Sequence, residues 1–277
     1  MSLLLHGDCL EHLHSVDDNS VDLIFCDLPY GQTSCKWDCK IDLTKLWDHF
    51  MRIKKLNTPL FFTTTTKFGC DLIQSAPKKC FFRYDLVWVK SSPCGHLSSS
   101  RAPMRKHEMV YVFYEKLPFY DLSSHKHKFI KERDAGQKNG SVYGGEEGKK
   151  LIEGKYDPPL PVSVLKEEKS QISKPQGADL YGASKGGTIG NVHGTNYDPP
   201  LPTTMLEIKS TRGKHSTEKP VALMEWILKY YSKEGDVVLD PTMGSGSTGV
   251  ACKNMNRNFI GIEMDAEIYE VAVNRVE

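Results

Sequence analysis

Two short runs carry the residue types from which group-transfer chemistry can be built. The first is Asp27-Leu28-Pro29-Tyr30, which ends the apolar run Val21-Asp-Leu-Ile-Phe-Cys26. An exocyclic amine on an aromatic ring is a poor nucleophile, because its lone pair is delocalised. A carboxylate and a backbone carbonyl that both accept from that NH2 favour pyramidalisation and return the lone pair for attack on an electrophilic carbon. Asp27 supplies the first acceptor and the Leu28-Pro29 backbone the second. Pro29 stiffens the loop, so both are in place before the substrate arrives. Tyr30 offers a flat face on which a heterocycle can stack.

The second run is Asp240-Pro-Thr-Met-Gly244-Ser245-Gly246-Ser247-Thr248, preceded by Val237-Val-Leu239. A buried strand that breaks into a Gly-Ser turn and opens a helix presents a cradle of N–H groups suited to a carboxylate or phosphate. Glu263 stands 17 residues beyond Gly246, at the end of the run Phe259-Ile-Gly-Ile262. That is about the offset at which a carboxylate meets ribose hydroxyls in dinucleotide-type folds. Asp240 is placed to accept from a ligand amine. Asp8 follows Leu3-Leu4-Leu5 much as Asp27 follows its own strand. In an open α/β sheet all such strand ends face one crevice, so distance along the chain says little against proximity in space.

The elements that must position these residues alternate. Strands are expected at Leu3–Leu5, Val21–Cys26, Pro59–Thr63, Tyr84–Val89, Met109–Tyr114, Val237–Leu239 and Phe259–Ile262. Leu43, Leu46, Trp47 and Phe50 fall at i, i+3, i+4 and i+7 of a helix over 43–53. Leu223, Trp226, Ile227 and Tyr230 share a second helical face, with Pro220 in its first turn. This alternation predicts a doubly wound, mostly parallel sheet. Residues 121–202 differ in texture: they hold 12 of the 22 glycines and no Trp, and Tyr156-Asp-Pro-Pro-Leu-Pro161 recurs as Tyr197-Asp-Pro-Pro-Leu-Pro202. The stretch reads as an insertion, either a loop-rich one with a duplicated turn or a module for recognition. Its Asp-Pro-Pro triplets lack both a following aromatic and a leading apolar strand, so they do not compete with Asp27.

Composition narrows the classes. At 277 residues and 39% hydrophobic, the chain can bury a substantial core. No run approaches 18 consecutive apolar residues, and the N-terminal run Met-Ser-Leu-Leu-Leu-His lacks the basic and long apolar regions of a secretory signal. Eight cysteines are present, but only Cys35 and Cys39 are close, and no second ligand pair accompanies them; no metal is expected. The net charge of +1 is neutral on nucleic acid. Between Arg101 and Arg133, however, eight Lys/Arg stand against four Asp/Glu, with Tyr111, Tyr114 and Phe119 interleaved. That is either a phosphate-neutralising patch, with Arg101, Arg105 and Lys106 as its leading residues, or a solvated charged face.

The ordered set of runs resembles the amino-DNA methyltransferases of the permuted (β-group) order, in which the catalytic tetrapeptide precedes the cofactor loop, and specifically their adenine-N6 type. The similarity rests on Asp27-Leu-Pro-Tyr-Gly-Gln-Thr-Ser-Cys-Lys-Trp-Asp38, Trp88-Val-Lys90, Lys106-His-Glu108 with Val110-Tyr-Val-Phe-Tyr114, and Lys116-Leu-Pro-Phe-Tyr120. Downstream follow His215-Ser-Thr-Glu-Lys-Pro220, Asp240 to Thr248, and Phe259-Ile-Gly-Ile-Glu263. It covers about 3–120 and 203–276; residues 121–202 align with nothing, and Leu28 replaces the commoner Pro.

The resemblance implies a Rossmann-like methyltransferase core over 1–120 and 203–277, with 121–202 as an insertion that could recognise DNA. It implies direct transfer from S-adenosylmethionine (AdoMet) to the N6 of a flipped adenine, with Asp27, Leu28, Pro29 and Tyr30 acting on the base. Gly244, Ser245, Gly246, Ser247 and Thr248 would hold the cofactor, with Thr217, Lys219, Pro220 and Asp240 beside them. Glu263 would bind its ribose, and Asp8 its adenine end, flanked by Cys9 and Met264. Double-stranded DNA is the expected partner; a cognate restriction endonuclease and a homodimer are further expectations, as is a cytoplasmic location (the host's, if phage- or virus-encoded). Cytosine-N4 transfer is the alternative within the class, although Asp rather than Ser at position 27 favours adenine. A silent DNA-binding relative is the non-enzyme alternative, and would be expected to have lost Asp27, Tyr30 or the glycines. An RNA or protein-glutamine methyltransferase would be expected to carry Asn first and its cofactor loop upstream.

Overall fold

Each strand end that carries chemistry is set by a short, locally encoded element. The computed structural model describes residues 2–31, 39–95, 99–124, 126–133, 151–157, 164–165 and 218–277. β1 (Ser2–His6) leads to α1 (Cys9–His12), whose N-cap Asp8 accepts from the Leu10 amide at 2.8 Å. β2 (Leu23–Cys26) is buried at every position, as suits a central parallel strand covered on both faces. Asp42 caps α2 (Leu43–Ile53) by accepting from the Thr44 and Lys45 amides, and the helix turns Leu46, Trp47, Phe50 and Ile53 inward. β3 (Leu60–Thr64) is again wholly buried, and Thr65 caps α3 (Thr66–Ser75). β4 (Phe81–Cys94), β5 (Arg105–Tyr114), β6 (Lys126–Arg133), β7 (Leu151–Asp157) and β8 (Val164–Leu165) follow. Then come α4 (Val221–Tyr231), β9 (Val237–Asp240), α5 (Ser247–Asn254), β10 (Asn258–Glu263) and α6 (Ala266–Val276).

The chain divides into two compact units, residues 1–119 with 163–277, and residues 120–162. In the smaller unit β6 and β7 form an antiparallel ladder from Lys126↔Asp157 to Arg133↔Leu151. In the larger, eight strands pair in the order β1-β10-β9-β2-β3-β5-β4-β8. The run from β1 to β3 is parallel throughout; β5 runs antiparallel to both neighbours. The sheet is thus mixed and mostly parallel. Its core holds an aromatic cluster in which Trp47 lies 5.4 Å from both Phe62 and Phe113.

The site follows from the strand order. β9 continues through α5 to β10 on one side, whereas β2 continues through α2 to β3 on the other. Two neighbouring strands therefore send their connections in opposite directions, and a crevice opens at their carboxyl ends. The pairing Ile24↔Leu239 brings Asp240 and Asp27 to that opening together.

Two helices, α3 and α6, are absent from the sequence-based expectation. In α3 the inward stripe is only Phe68, Gly69 and Leu72, too sparse to register as a period. Gly69 is there because a Cβ would stand 2.4 Å from the Tyr111 ring. The second copy of the repeated hexapeptide, 197–202, lies outside the described residues.

Candidate active site

Asp27 is the first residue past β2, and strand register decides its neighbours. Since Cys26 pairs with Phe62, the next residue of β3, Thr63, falls beside Asp27 and its buried hydroxyl donates to Asp27 Oδ1. The Tyr30 hydroxyl reaches the same oxygen at 3.3 Å, and Lys219 Nζ donates to Oδ2 at 2.6 Å. From the other strand tip, the Thr242 hydroxyl donates to the Asp27 backbone carbonyl at 3.2 Å. The carboxylate is therefore gripped on both oxygens, with 28% of the side chain still exposed. Leu28 turns into the core, and among the described residues neither its carbonyl nor that of Pro29 accepts a hydrogen bond. Tyr30 packs on Phe68, ring centroids 5.2 Å apart.

Because β5 runs against its neighbours, its beginning rather than its end faces the crevice. Glu108 accepts there from Lys219 Nζ at 3.2 Å and Tyr30 OH at 3.2 Å, and pairs with Lys90 at 2.5 Å. Charges alternate along the row Lys90, Glu108, Lys219, Asp27. Burial penalises the Lys219 ammonium, but Asp27 and Glu108 overcome it and raise its pKa. Burial likewise opposes the Glu108 carboxylate, yet Lys219 and Lys90 pull its pKa below the ordinary range. Both groups stay charged. Burial, with Asp27 and Glu108 nearby, pushes the Tyr30 phenol upward, so it stays protonated as a donor.

On the β9 side Asp240 is fully buried; its Oδ2 accepts from Thr248 Oγ1 at 2.6 Å and Oδ1 from the Thr242 amide at 3.1 Å. Burial raises its pKa from 3.8 to about 7, against the pull of those two donors. Gly244 and Gly246 both lie at positive φ, 53° and 84°. At Gly244 a Cβ would meet open space. At Gly246 it would stand 3.0 Å from Val276 and 3.3 Å from the Ala272 Cα, so this glycine also lets α6 close on the loop. Glu263 accepts from the Gly244 amide at 3.0 Å and the Asp265 amide at 2.8 Å. Ser247 donates to Glu218 at 3.2 Å.

A cleft lined by Phe25, Asp27, Glu218, Lys219, Asp240, Thr242, Met243, Gly244, Ser245, Ser247, Thr248 and Ile268 joins the two strand tips. Loop amides, hydroxyls and the carboxylates of Glu218 and Asp240 in one recess fit a ligand bearing both a carboxylate and cationic groups. Asp8 caps α1, and the Gly7 amide donates to the Glu263 carbonyl, which places Asp8 and Glu263 at neighbouring strand ends. Cys9 is a buried thiol with its pKa pushed up to about 12 by burial and Asp8, while Met264 is exposed. Pro220 stands at the N-cap position of α4, just outside the first turn expected from the sequence, and makes no side-chain capping bond; Thr217 lies outside the described residues. Arg101 is exposed, and Arg105 reaches the Thr66 hydroxyl at 3.4 Å; Arg105 and Lys106 open β5 at the crevice edge.

Several residues at the site have no role that the sequence alone assigns. Thr63, Glu108 and Lys90 arrive by strand register. Arg275, in the last turn of α6, donates to the Ser245 carbonyl and hydroxyl at 2.8 and 2.7 Å and to Glu218 at 2.7 Å, tying the loop to the residues before α4. No contiguous pattern announces such contacts. Among the described residues no His/Cys/Asp/Glu group could hold a metal, and no helix is long and apolar enough to cross a membrane.

Comparison with known proteins agrees with this architecture. The chain is 26% identical over its full length, and 68% of the relative's, to the Type II methyltransferase M.HinfI of Haemophilus influenzae. It is 25% identical to the DNA adenine methyltransferase YhdJ of Escherichia coli K12, over 99% of this chain and 82% of that one. A higher identity, 45%, to the Type II methyltransferase M2.DpnII of Streptococcus pneumoniae spans 26% of each chain, so that match extends over about a quarter of the relative's length. Among solved structures, the M1.HpyAVI–SAM complex shares the fold at TM-score 0.57 and 20% identity over the whole of both chains. The cytosine-N4-specific PvuII DNA methyltransferase does so at 0.59 and 14%, over 100% of this chain and 86% of that one. The N6/N4 methyltransferase family model, described as DNA methylase, matches residues 21–274, and the chain belongs to that family.

Proposed function

We propose that this protein is an AdoMet-dependent DNA methyltransferase that methylates the exocyclic N6 of adenine in double-stranded DNA, on a base flipped out of the helix. The observation that carries the reading is the single cleft shared by Asp27 and the Asp240–Thr248 loop, from strands adjacent in space and more than two hundred residues apart in sequence. The similarity to M.HinfI and YhdJ over nearly all of this chain supports it.

The loop amides and Ser245 and Ser247 hydroxyls would take the cofactor's carboxylate, Glu218 and Asp240 its cationic side, and Glu263 its ribose. AdoMet supplies an electrophilic methyl on a sulfonium. Asp27 and the open Leu28 and Pro29 carbonyls accept the two N–H bonds of the target amine and localise its lone pair toward that methyl. The sulfonium sulfur would be the leaving group and take the C–S electron pair, and Asp27 would accept the proton that the methylated amine releases. No base is needed earlier, so His107 has no step to perform. Tyr30, backed by Phe68, would stack the base and recover part of an unstacking cost of about a few kcal/mol. Arg105 and Lys106 at the start of β5, with the exposed Arg101, would meet phosphates. The Type II relatives support a cognate restriction endonuclease as a functional partner.

The test is incubation with methyl-labelled AdoMet and unmethylated DNA, followed by digestion to nucleosides. Label in N6-methyladenine is expected. Label confined to N4-methylcytosine would overturn the choice of base, and absence of label from DNA would overturn the activity.

A further inference from the structure

Asp27 has a limited number of acceptor positions, and most are already taken. A carboxylate offers about four lone-pair sites. Thr63 and Tyr30 occupy Oδ1, and Lys219 occupies one side of Oδ2. The position left for a substrate amine is the second side of Oδ2, beside an ammonium that is itself mobile in rotation and carries three protons. Glu108 competes for the same ammonium, 3.2 Å from it, and so draws on protons that Lys219 would otherwise turn to that oxygen.

Glu108 is the hub of the cluster. It holds Lys219 and Lys90 by ion pairs and takes part of the Tyr30 hydroxyl's donation; its side chain is 11% exposed. Without its charge, two ammonium groups would face one carboxylate in a poorly solvated setting. Their mutual repulsion would drive Lys219 further onto Asp27, and Tyr30 would donate to Asp27 alone. Both changes add donors to the group that must accept from the base. We propose that Glu108 is a positioning residue for methyl transfer: by sharing Lys219 and Tyr30 with Asp27, it keeps one acceptor site of Asp27 open for the target amine. This rests on the reading that Asp27 receives that amine. A merely structural Glu108 would instead tie β4 and β5 to the segment before α4 and act on stability alone.

The experiment compares the parent, Glu108→Gln, Glu108→Asp, the double variant Lys90→Met/Glu108→Gln and Asp27→Ala in the full chain. Single-turnover methylation, AdoMet affinity by calorimetry and melting temperature are read for each. Glu108→Gln is expected to slow single turnover by about 10- to 100-fold with AdoMet affinity within about twofold of the parent. Glu108→Asp should recover part of the rate. The double variant balances the charge count, so it should recover melting temperature without recovering rate; it also carries the test if Glu108→Gln alone fails to fold. A folded Glu108→Gln with the parental rate overturns the proposal, as does recovery of rate together with stability in the double variant. Asp27→Ala separates the two levels. If it is inactive while Glu108→Gln is not, only the role of Glu108 falls; if it is active, the assignment of Asp27 falls as well.

Discussion

Asp240→Asn should make the folded protein more stable at neutral pH and leave it nearly unchanged near pH 4. The amide is isosteric. Its oxygen can still accept from the Thr242 amide, and its NH2 can donate to the Thr248 hydroxyl, which turns from donor to acceptor. What disappears is a fully buried carboxyl whose pKa rises from 3.8 to about 7 on folding, chiefly by desolvation. The folded chain therefore holds this proton more tightly than the unfolded chain. Between about pH 4 and 7 the native state binds more protons, so the Asp240 contribution to stability falls as pH rises through that window. Above about pH 7 the whole penalty is present, on the order of 4 kcal/mol. Urea unfolding of parent and variant, without ligand, at steps from pH 4.5 to 8.5 measures the difference. It should grow with pH and level off near 7. A difference independent of pH, or one that shrinks as pH rises, would refute the argument from burial. A cationic ligand in the cleft should draw that proton off, so AdoMet binding near pH 7 should release protons from the parent and fewer from the variant, as read by calorimetry in buffers of different ionisation enthalpy.

Other expectations are direct. Asp27→Ala should abolish turnover while AdoMet still binds within a few-fold of the parent; loss of binding instead would place Asp27 in the cofactor's grip rather than the base's. Gly246→Val forces a β-branched residue to φ 84° and drives its Cβ against Val276 and Ala272. It should cost about 2 kcal/mol or more and weaken AdoMet binding by displacing α6, checked by melting and titration together. Arg275→Gln removes the two-pronged hold on Ser245 and Glu218. AdoMet affinity should fall by about tenfold with the maximal rate little changed, and undiminished affinity would show that the loop keeps its shape unaided.

What could be read from the sequence was what neighbouring residues encode among themselves. Asp27 and Asp240 announce themselves because an apolar run, a terminal carboxylate and a turn former stand in line, and a strand end needs nothing more. The Gly-Ser loop is likewise local, since positive φ at Gly244 and Gly246 is a property of those positions. The surroundings of Asp27 are different. Thr63 is beside it only because Cys26 pairs with Phe62, and Glu108 only because β5 is reversed. Strand register and direction arise from packing between distant segments. Lys90 and Glu108 therefore stand inside recognisable runs that by themselves assign them no task. Lys219 is expected from the sequence beside a cofactor; it lines the cleft between the strand tips, with its ammonium committed to Asp27 and Glu108. Helix α6 announces itself only by its cap, Asp265, which accepts from the Glu267 and Ile268 amides, and Arg275 in its last turn has no local signal at all.

The reversed strand β5 ends at Tyr114, and the next residue, Glu115, pairs at 2.8 Å with the almost wholly buried Lys54 at the far rim of the sheet. Glu108 at one rim and Glu115 at the other are thus seven positions apart on a single ribbon whose alignment is pinned from below. Sliding that ribbon by one step would turn Glu108 away from Lys219 and strand Lys54 in apolar surroundings at the same moment. The far anchor works as a ruler for the near one. Inserting or deleting a single residue between Met109 and Tyr114 is consequently far more damaging than replacing any one of them by a residue of similar size.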